Sequence, residues 1–103
     1  MNIDTLYKYL KLVIPSDLYV TRKEDDSINV SASSNRGRYE SVFADTYAIQ
    51  NDFIVLSRFG NTIPEYAKKI FGNPALINQG YLATYTFFNI PKELRDLNES
   101  TKS

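Results

Sequence analysis

The side chains that could carry proton chemistry in this sequence are carboxylates and tyrosines, because the chain contains no histidine and no cysteine. Catalytic arrangements that need a histidine base, and all thiolate or disulfide chemistry, are therefore excluded. Two carboxylates, Asp45 and Asp52, flank an irregular stretch, and Glu40 is nearby in sequence. Two carboxylates could act as acid and base, but capping of loop backbone is the simpler interpretation. A carboxylate-dependent enzyme is therefore the third hypothesis, and we expect no catalysis.

The acidic and glycine residues give little indication of a bound metal or cofactor. Asp25 and Asp26 could ligate Mg²⁺ or Ca²⁺, but no third ligand follows at the spacing of a metal-binding loop. Adjacent acidic residues in a turn usually bond the backbone of that turn. The four glycines form no phosphate-binding motif. We therefore predict no metal site and no cofactor.

The segment Arg36-Gly37-Arg38-Tyr39 is the best polar candidate for ligand binding. Its guanidinium groups could bind a phosphate or a carboxylate, and Tyr39 could stack on a base. The alternative is a flexible turn whose arginines pair with nearby carboxylates. Twelve basic residues balance twelve acidic ones, and a neutral chain lacks the field that draws proteins to phosphate backbones. Nucleic-acid binding through Arg36, Arg38 and Tyr39 is therefore the second hypothesis.

The chain contains eight tyrosines and six phenylalanines, which is more aromatic side chains than a core of this size obviously needs. Some fall opposite the most hydrophobic set of their element; Tyr85, for example, is assigned to the strand face opposite Leu82 and Phe88. Tyrosine offers a large contact area and a hydroxyl that tolerates water, so interfaces are enriched in it. Its general preference for strands is the alternative explanation. We predict a partner-binding surface formed by Tyr9, Leu12, Tyr19, Thr21, Tyr81 and Tyr85.

The first elements that would position these residues are a helix and a hairpin. Residues 2–14 form an amphipathic pattern with a 3.6-residue period, which Asn2 can cap and Pro15 stops. Tyr9 and Leu12 lie opposite the main apolar stripe, so this helix is apolar on two sides. Alternating residues over 18–33, interrupted by a polar turn, then predict a hairpin.

The second half of the chain predicts further strands around a helix. Thr62-Ile63-Pro64-Glu65 has the pattern of a capping box, and Gly72 is placed to end the helix that follows. The long strand predicted over 81–90 is apolar on both faces and is therefore expected to be central. A short last helix ends at Leu97. The remaining predicted strands cover residues 39–44 and 53–59.

Together these elements predict one α+β domain over residues 1–97 and a flexible C-terminal tail over 98–103. The sheet should contain about five mostly antiparallel strands, with two main helices packed on one face and a short C-terminal helix. No apolar run is long enough to span a membrane, and the first residues lack a signal-peptide pattern. A cytoplasmic location is therefore expected.

The first hypothesis for function is binding to another protein, or to a second copy of the chain in a homodimer, without catalysis. The missing catalytic residue types and the tyrosines assigned to outer surfaces favour it. An inhibitor, adaptor or immunity-like role suits such a compact chain. By analogy alone, small domains of this kind are frequent in phages and mobile elements.

Overall fold

The computed structural model describes residues 2–31, 45–59, 63–78 and 83–102. The elements in this part of the chain are α1 (Ile3–Val13), β1 (Tyr19–Arg22), β2 (Ile28–Ser31), β3 (Asp45–Gln50), β4 (Phe53–Arg58), α2 (Glu65–Phe71), β5 (Leu76–Asn78), β6 (Ala83–Phe87) and α3 (Lys92–Lys102). The six strands form one sheet in the order β1-β2-β3-β4-β6-β5, and all neighbouring strands are antiparallel. The predicted α+β class and antiparallel sheet are confirmed, and the sheet has six strands where about five were predicted.

Helix α1 begins and ends close to the predicted residues. The Asn2 side chain accepts a 2.7 Å hydrogen bond from the backbone N–H of Asp4, which satisfies one of the donors left open at a helix N-terminus. At the other end the N–H of Ile14 still donates to the carbonyl of Leu10 before Pro15 stops the helix.

The hairpin β1–β2 is closed by the polar turn that its sequence predicts. The backbone N–H of Lys23 donates to the carbonyl of Ser27 at 2.8 Å, and Asp26 adopts a positive φ of 62°. Arg22 pairs with Asp26 in this turn and with Asp4 of α1, at 3.0 and 2.9 Å. One guanidinium group therefore joins the hairpin turn to the first helix.

The tight hairpin β3–β4 corrects the interpretation of residues 45–52 as irregular. Gln50 pairs with Phe53, so the connection consists of Asn51 and Asp52 alone. Both residues have positive φ, 53° and 66°, which a type I′ turn requires and which Asn and Asp tolerate. The predicted strand over 39–44 lies outside the described residues.

Helix α2 begins later than the capping-box pattern predicts. Its N-cap is Pro64, which has extended backbone angles and makes no side-chain cap hydrogen bond. Thr62, the expected cap, lies outside the described residues. The helix ends at Gly72 as predicted, where φ is 81° and ψ is −159°, a conformation that is essentially restricted to glycine.

The C-terminal third differs from the prediction in its strand and helix bounds. The predicted strand over 81–90 is the shorter β6, which lies between β4 and the edge strand β5. The sequence pattern did not predict β5 because it has only three residues. Helix α3 continues to Lys102, so the predicted helix end at Leu97 is too early.

Alternating strand residues divide the sheet into a helix-contacting face and an opposite face. Phe71 of α2 packs against Tyr47 and Phe87, with ring centroids 6.0 and 5.2 Å apart. These contacts belong to one core cluster, which joins buried residues of the three described helices to alternate residues of the sheet. Its fully buried members include Leu6, Leu10, Ile28, Tyr47, Ile54, Leu56, Phe87 and Leu94.

Candidate functional site

Tyr85 does not lie on an outer surface, and that part of the predicted partner-binding site is wrong. Its side chain is only 2% exposed and belongs to the core cluster, on the helix-contacting face. Ala83 and Phe87, on the same side of β6, are also buried, whereas Thr84 and Thr86 alternate with them. Taking Phe88 as a core residue shifted the assignment by one position, which exchanges the two faces of a strand.

Tyr9 is also a core residue rather than a surface residue. It is 6% exposed, although it lies on the side of α1 away from the main apolar stripe. Helix α3 packs against α1 and buries Leu94 completely, and burial together with the charge of Glu93 raises the pKa of Tyr9. The second apolar side of α1 is therefore largely explained by α3. Leu12, in contrast, is 77% exposed.

Two predicted residues do lie on the sheet face opposite the helices. Tyr19 is 42% exposed and Thr21 is half-buried, and both alternate with the core-facing Val20 of β1. Tyr81 lies outside the described residues. The structure therefore places Tyr19 and Thr21 on one surface and Leu12 on another, and it assigns Tyr9 and Tyr85 to the core.

We call the sheet surface opposite the three described helices the uncharged face; two of its residues, Asn29 and Val55, are already buried within the chain, at 5% and 9% exposure. In β1–β4, and in β6 with the residue that follows it, strand register and alternation assign thirteen residues to this face, and none of them is Asp, Glu, Lys or Arg. At the chain average of 23% charged residues, about three would be expected, and more for a face in contact with water. Its residues are Tyr19, Thr21, Asn29, Ser31, Thr46, Ala48, Gln50, Phe53, Val55, Ser57, Thr84, Thr86 and Phe88.

The aromatic residues that sequence reasoning missed on this face are Phe53 and Phe88. Their rings meet edge to face with centroids 4.5 Å apart, and Phe88 remains 44% exposed. The signal that could have found Phe88 is its spacing from Thr84 and Thr86, since residues two apart on a strand share a face. Phe53 follows from the two-residue turn that places it opposite Gln50.

The charged residues of the described strands are Arg22, Asp45 and Arg58, and all three lie on the helix-contacting face. Arg22 contacts Asp4 and Asp26 at hydrogen-bonding distance. Arg58 Nε lies 3.3 Å from Asp45 Oδ1, close enough for an ion pair but misaligned for a hydrogen bond. In the described strands the charged residues thus lie on the helix-contacting face and none lies on the other face, which is the reverse of the usual arrangement.

Asp45 is the centre of a buried polar network. The Tyr66 hydroxyl donates to Asp45 Oδ2 at 2.6 Å, and the Tyr47 hydroxyl donates to the Tyr66 hydroxyl at 3.0 Å. Burial raises the pKa of Asp45, against the opposing effects of Tyr66 and Arg58. Burial likewise raises the pKa of Tyr47 and of Tyr66 well above the ordinary tyrosine value. Both phenols are therefore neutral donors, and the network has the character of a structural anchor for α2.

The carboxylates of the enzyme hypothesis do not converge. Asp45 begins β3 and is 8% exposed, whereas Asp52 is exposed in the turn at the other end of that strand. The six residues of β3 place Asp45 and Gln50 about 17 Å apart, and Asp52 lies beyond Gln50 in the turn. Glu40 lies outside the described residues. Asp45 and Asp52 are thus too far apart to act on one bond, since paired catalytic carboxylates lie about 5–10 Å apart.

Asp25 and Asp26 have local partners in the hairpin turn. Asp25 accepts a 2.6 Å hydrogen bond from the Ser27 hydroxyl, which holds the Asp25 pKa below its ordinary value, and Asp26 pairs with Arg22. Within the described residues, no three His, Cys, Asp or Glu side chains are grouped closely enough to hold a metal ion. In the same ranges no helix has the length and apolar character needed to cross a bilayer.

A groove of about 570 Å³ lies between α2 and the edge strand β5, lined in part by Glu65, Lys68, Ile77 and Tyr85. Ile77 is 49% exposed at its rim. Within the described residues, the buried Tyr85 hydroxyl has no hydrogen-bond partner. The charged groups among the described lining residues are Glu65 and Lys68, so this part of the groove brings no pair of acids together.

The residues of the nucleic-acid hypothesis, Arg36, Arg38 and Tyr39, lie outside the described residues. Comparison with known proteins adds no family: no protein-family model, no curated protein and no solved structure matches this chain. Functional inference therefore depends on the sheet surface itself.

Proposed function

We propose that this chain is a non-enzymatic protein-binding domain that docks a protein partner on its uncharged face. The observation that carries this proposal is the reversed charge pattern of the sheet. Every charged residue of the described strands lies on the helix-contacting face, and none of the described strand residues on the opposite face is charged. A sheet face that stays in water normally alternates charged and polar residues with its core-facing side.

The physical basis of the proposal is the cost of desolvation. Burying a charged side chain in an interface costs on the order of several kcal/mol of free energy unless a partner charge compensates it. Interface cores are therefore depleted of charged residues. Threonine, serine and asparagine lose less on burial, because one or two hydrogen bonds satisfy them. The uncharged face has this composition.

Aromatic residues at both sides of the face provide anchors for a partner. Tyr19 lies on β1, and the Phe53–Phe88 pair lies on β4 and the end of β6, about 14–19 Å away across the strands and about 20 Å away along them. Large exposed rings of this kind commonly contribute most of the binding energy at interfaces. An inhibitor, adaptor or immunity-like role, in which occupying a partner's surface is the whole activity, fits this arrangement.

The test compares proteins captured from the native cell lysate by three forms of the chain. Thr86→Lys places one charge on the uncharged face, and Leu12→Lys places the same charge on an exposed position of α1. We expect the wild type and Leu12→Lys to retain the same partner and Thr86→Lys to lose it.

Circular dichroism of each variant before capture controls for folding, and Ser57→Lys replaces Thr86→Lys if that variant does not fold. A partner retained equally by all three forms would remove the uncharged face from the binding site. Loss of the partner with Leu12→Lys alone would assign binding to α1 instead.

A further inference from the structure

We propose that the groove between α2 and β5 binds a free α-amino acid with an apolar side chain. Two cross-strand partners, Ile77 of β5 and Tyr85 of β6, line this groove from the sheet, and Glu65 and Lys68 line it from α2. Tyr85 lies on the helix-contacting face. The groove is therefore a second site, separate from the uncharged face, and the inference goes beyond the docking of a protein partner there.

The groove has the size and lining of a small-molecule site. Its volume is about 570 Å³, and ligand pockets of about 300–1,000 Å³ are mostly apolar, with a few polar groups that fix the orientation of the ligand. Ile63, Pro74 and Ile77 supply the apolar lining, and Ile77 remains 49% exposed. An apolar side chain bound here would cover surface that the chain otherwise leaves in contact with water.

The buried hydroxyl of Tyr85 indicates that the ligand carries a hydrogen-bond acceptor. The residue is 2% exposed, and among the described residues its hydroxyl has no partner. Most buried polar groups are hydrogen-bonded, because an unpaired one has lost its water without compensation. A carboxylate compensates such a donor best, since hydrogen bonds to charged groups are the stronger ones. The oxygen is covered in the free chain, and the rotamer changes that commonly accompany binding would expose it.

Two charges of opposite sign on α2 favour a zwitterionic ligand. Glu65 and Lys68 are three residues apart, so they are neighbours on one side of the helix. Both side chains are exposed, and within the described ranges neither forms an ion pair. A free α-amino acid carries a carboxylate and an ammonium group on one carbon atom, whereas each end of a peptide chain carries only one of them. Charge complementarity therefore favours the free amino acid over a peptide.

These features assign a contact to each part of the ligand. The carboxylate accepts from the Tyr85 hydroxyl and pairs with Lys68, and the ammonium group pairs with Glu65. The apolar side chain packs against Pro74 and Ile77. Because the two charged side chains are exposed to solvent, each ion pair contributes only modestly. We therefore expect a dissociation constant on the order of 0.1–1 mM for so small a ligand.

The experiment titrates the isotope-labelled chain, followed by NMR, with three ligands that share one side chain. L-phenylalanine carries both charges, N-acetyl-L-phenylalanine carries only the carboxylate, and L-phenylalaninamide carries only the ammonium group. L-phenylalanine should shift the backbone amide signals of Lys68 and Ile77. Each blocked ligand should bind up to about fivefold more weakly, because it loses one exposed ion pair.

Substitutions on α2 test the assignment of the two charges. Lys68→Met should reduce the preference for L-phenylalanine over L-phenylalaninamide, and Glu65→Gln should reduce its preference over N-acetyl-L-phenylalanine. Lys69→Met is the matched control, because it removes the same charge from the next residue of α2, which is not among the described lining residues of the groove. It should leave the order of the three affinities unchanged.

Tyr85→Phe tests the hydroxyl. It should weaken the binding of L-phenylalanine about tenfold, since it removes a hydrogen bond to a charged group. Because this variant is expected to be at least as stable as the wild type, weaker binding would not reflect damage to the fold. If Tyr85→Phe does not fold, the variants at the exposed positions 65 and 68 still test the site.

Three results would overturn the site. One is the absence of shifts at Lys68 and Ile77 with about 10 mM L-phenylalanine, a concentration well above the expected dissociation constant. Another is equal or tighter binding of N-acetyl-L-phenylalanine, which would assign the groove to the carboxyl end of a peptide. The last is an affinity for L-phenylalanine that neither Tyr85→Phe nor Lys68→Met changes. Docking on the uncharged face is tested separately by Thr86→Lys.

Discussion

Replacing Tyr66 with phenylalanine tests whether the buried network holds α2 against the sheet. The hydroxyl donates to Asp45 at 2.6 Å and accepts from Tyr47 at 3.0 Å, so the substitution removes both bonds. A hydrogen bond to a charged acceptor contributes about 1.5–3 kcal/mol and a neutral one about 0.5–1.5 kcal/mol. We therefore expect Tyr66→Phe to lower the free energy of unfolding by about 2–4 kcal/mol.

Tyr85→Phe is the matched control for this prediction, because it removes the same atom from a tyrosine whose buried hydroxyl has no hydrogen-bond partner among the described residues. Removing an unsatisfied hydroxyl should leave stability unchanged or raise it by about 1–2 kcal/mol. Urea unfolding followed by circular dichroism measures both variants, and an unchanged denaturant slope shows that the unfolded state is the same.

The reasoning would be refuted if the two variants had equal stability, or if Tyr66→Phe cost less than about 0.5 kcal/mol. A second measurement tests the connection to Tyr47. The double variant Tyr47→Phe/Tyr66→Phe should be more stable than the sum of the two single effects predicts, since Tyr66→Phe alone leaves the Tyr47 hydroxyl buried without its acceptor.

Three further substitutions test other features. Burial raises the pKa of Asp45 above its ordinary value of 3.8, so the stability gained from protonated Asp45 is present below pH 3.8 and is lost as the pH rises through the folded pKa. Asp45→Asn should remove this part of the pH dependence of the urea midpoint, measured between about pH 3 and 7. Gly72→Ala should destabilise by about 1–3 kcal/mol in thermal unfolding, because φ is 81° there. Arg22→Gln should lower the melting temperature only slightly, because its ion pairs are exposed to solvent, and high salt should erase the difference from wild type.

The elements with strong local signals could be predicted from the sequence. Asn2 and Pro15 bound α1, and Gly72 ends α2, because caps and breakers act on their own few residues. The hairpin β1–β2 follows from alternation on both sides of a polar turn. These features need no knowledge of what packs against them.

The elements that depend on tertiary contacts could not be predicted in the same way. Tyr9 lies away from the apolar stripe that α1 turns toward the sheet, so the sequence alone does not predict its burial. The packing of α3 against α1 explains that burial. In β6 both alternate sets contain large apolar residues, so the choice between Tyr85 and Phe88 as the core residue depends on the neighbouring strands. The uncharged face was in turn visible only after the strand register was known.

Strand β3 could be predicted only in part. Its residues alternate from Asp45 to Gln50, but the first core-facing residue is a carboxylate, which by itself indicates a loop. Its burial in a strand is explained by the contacts with Tyr66 and Arg58, which depend on the tertiary structure. The turn Asn51-Asp52 was a usable signal, since two residues of this type between alternating segments are typical of a hairpin.

The two-residue turn between β3 and β4 also bears on how the chain reaches its native state. Five residue pairs follow directly from this turn, so they form with very little loop closure, whereas β6 must pair with β4 from about thirty positions away. We expect the β3–β4 hairpin to be organised early and β6 to join late. Substitutions beside Asn51 should then slow refolding, whereas those in β6 should mainly accelerate unfolding.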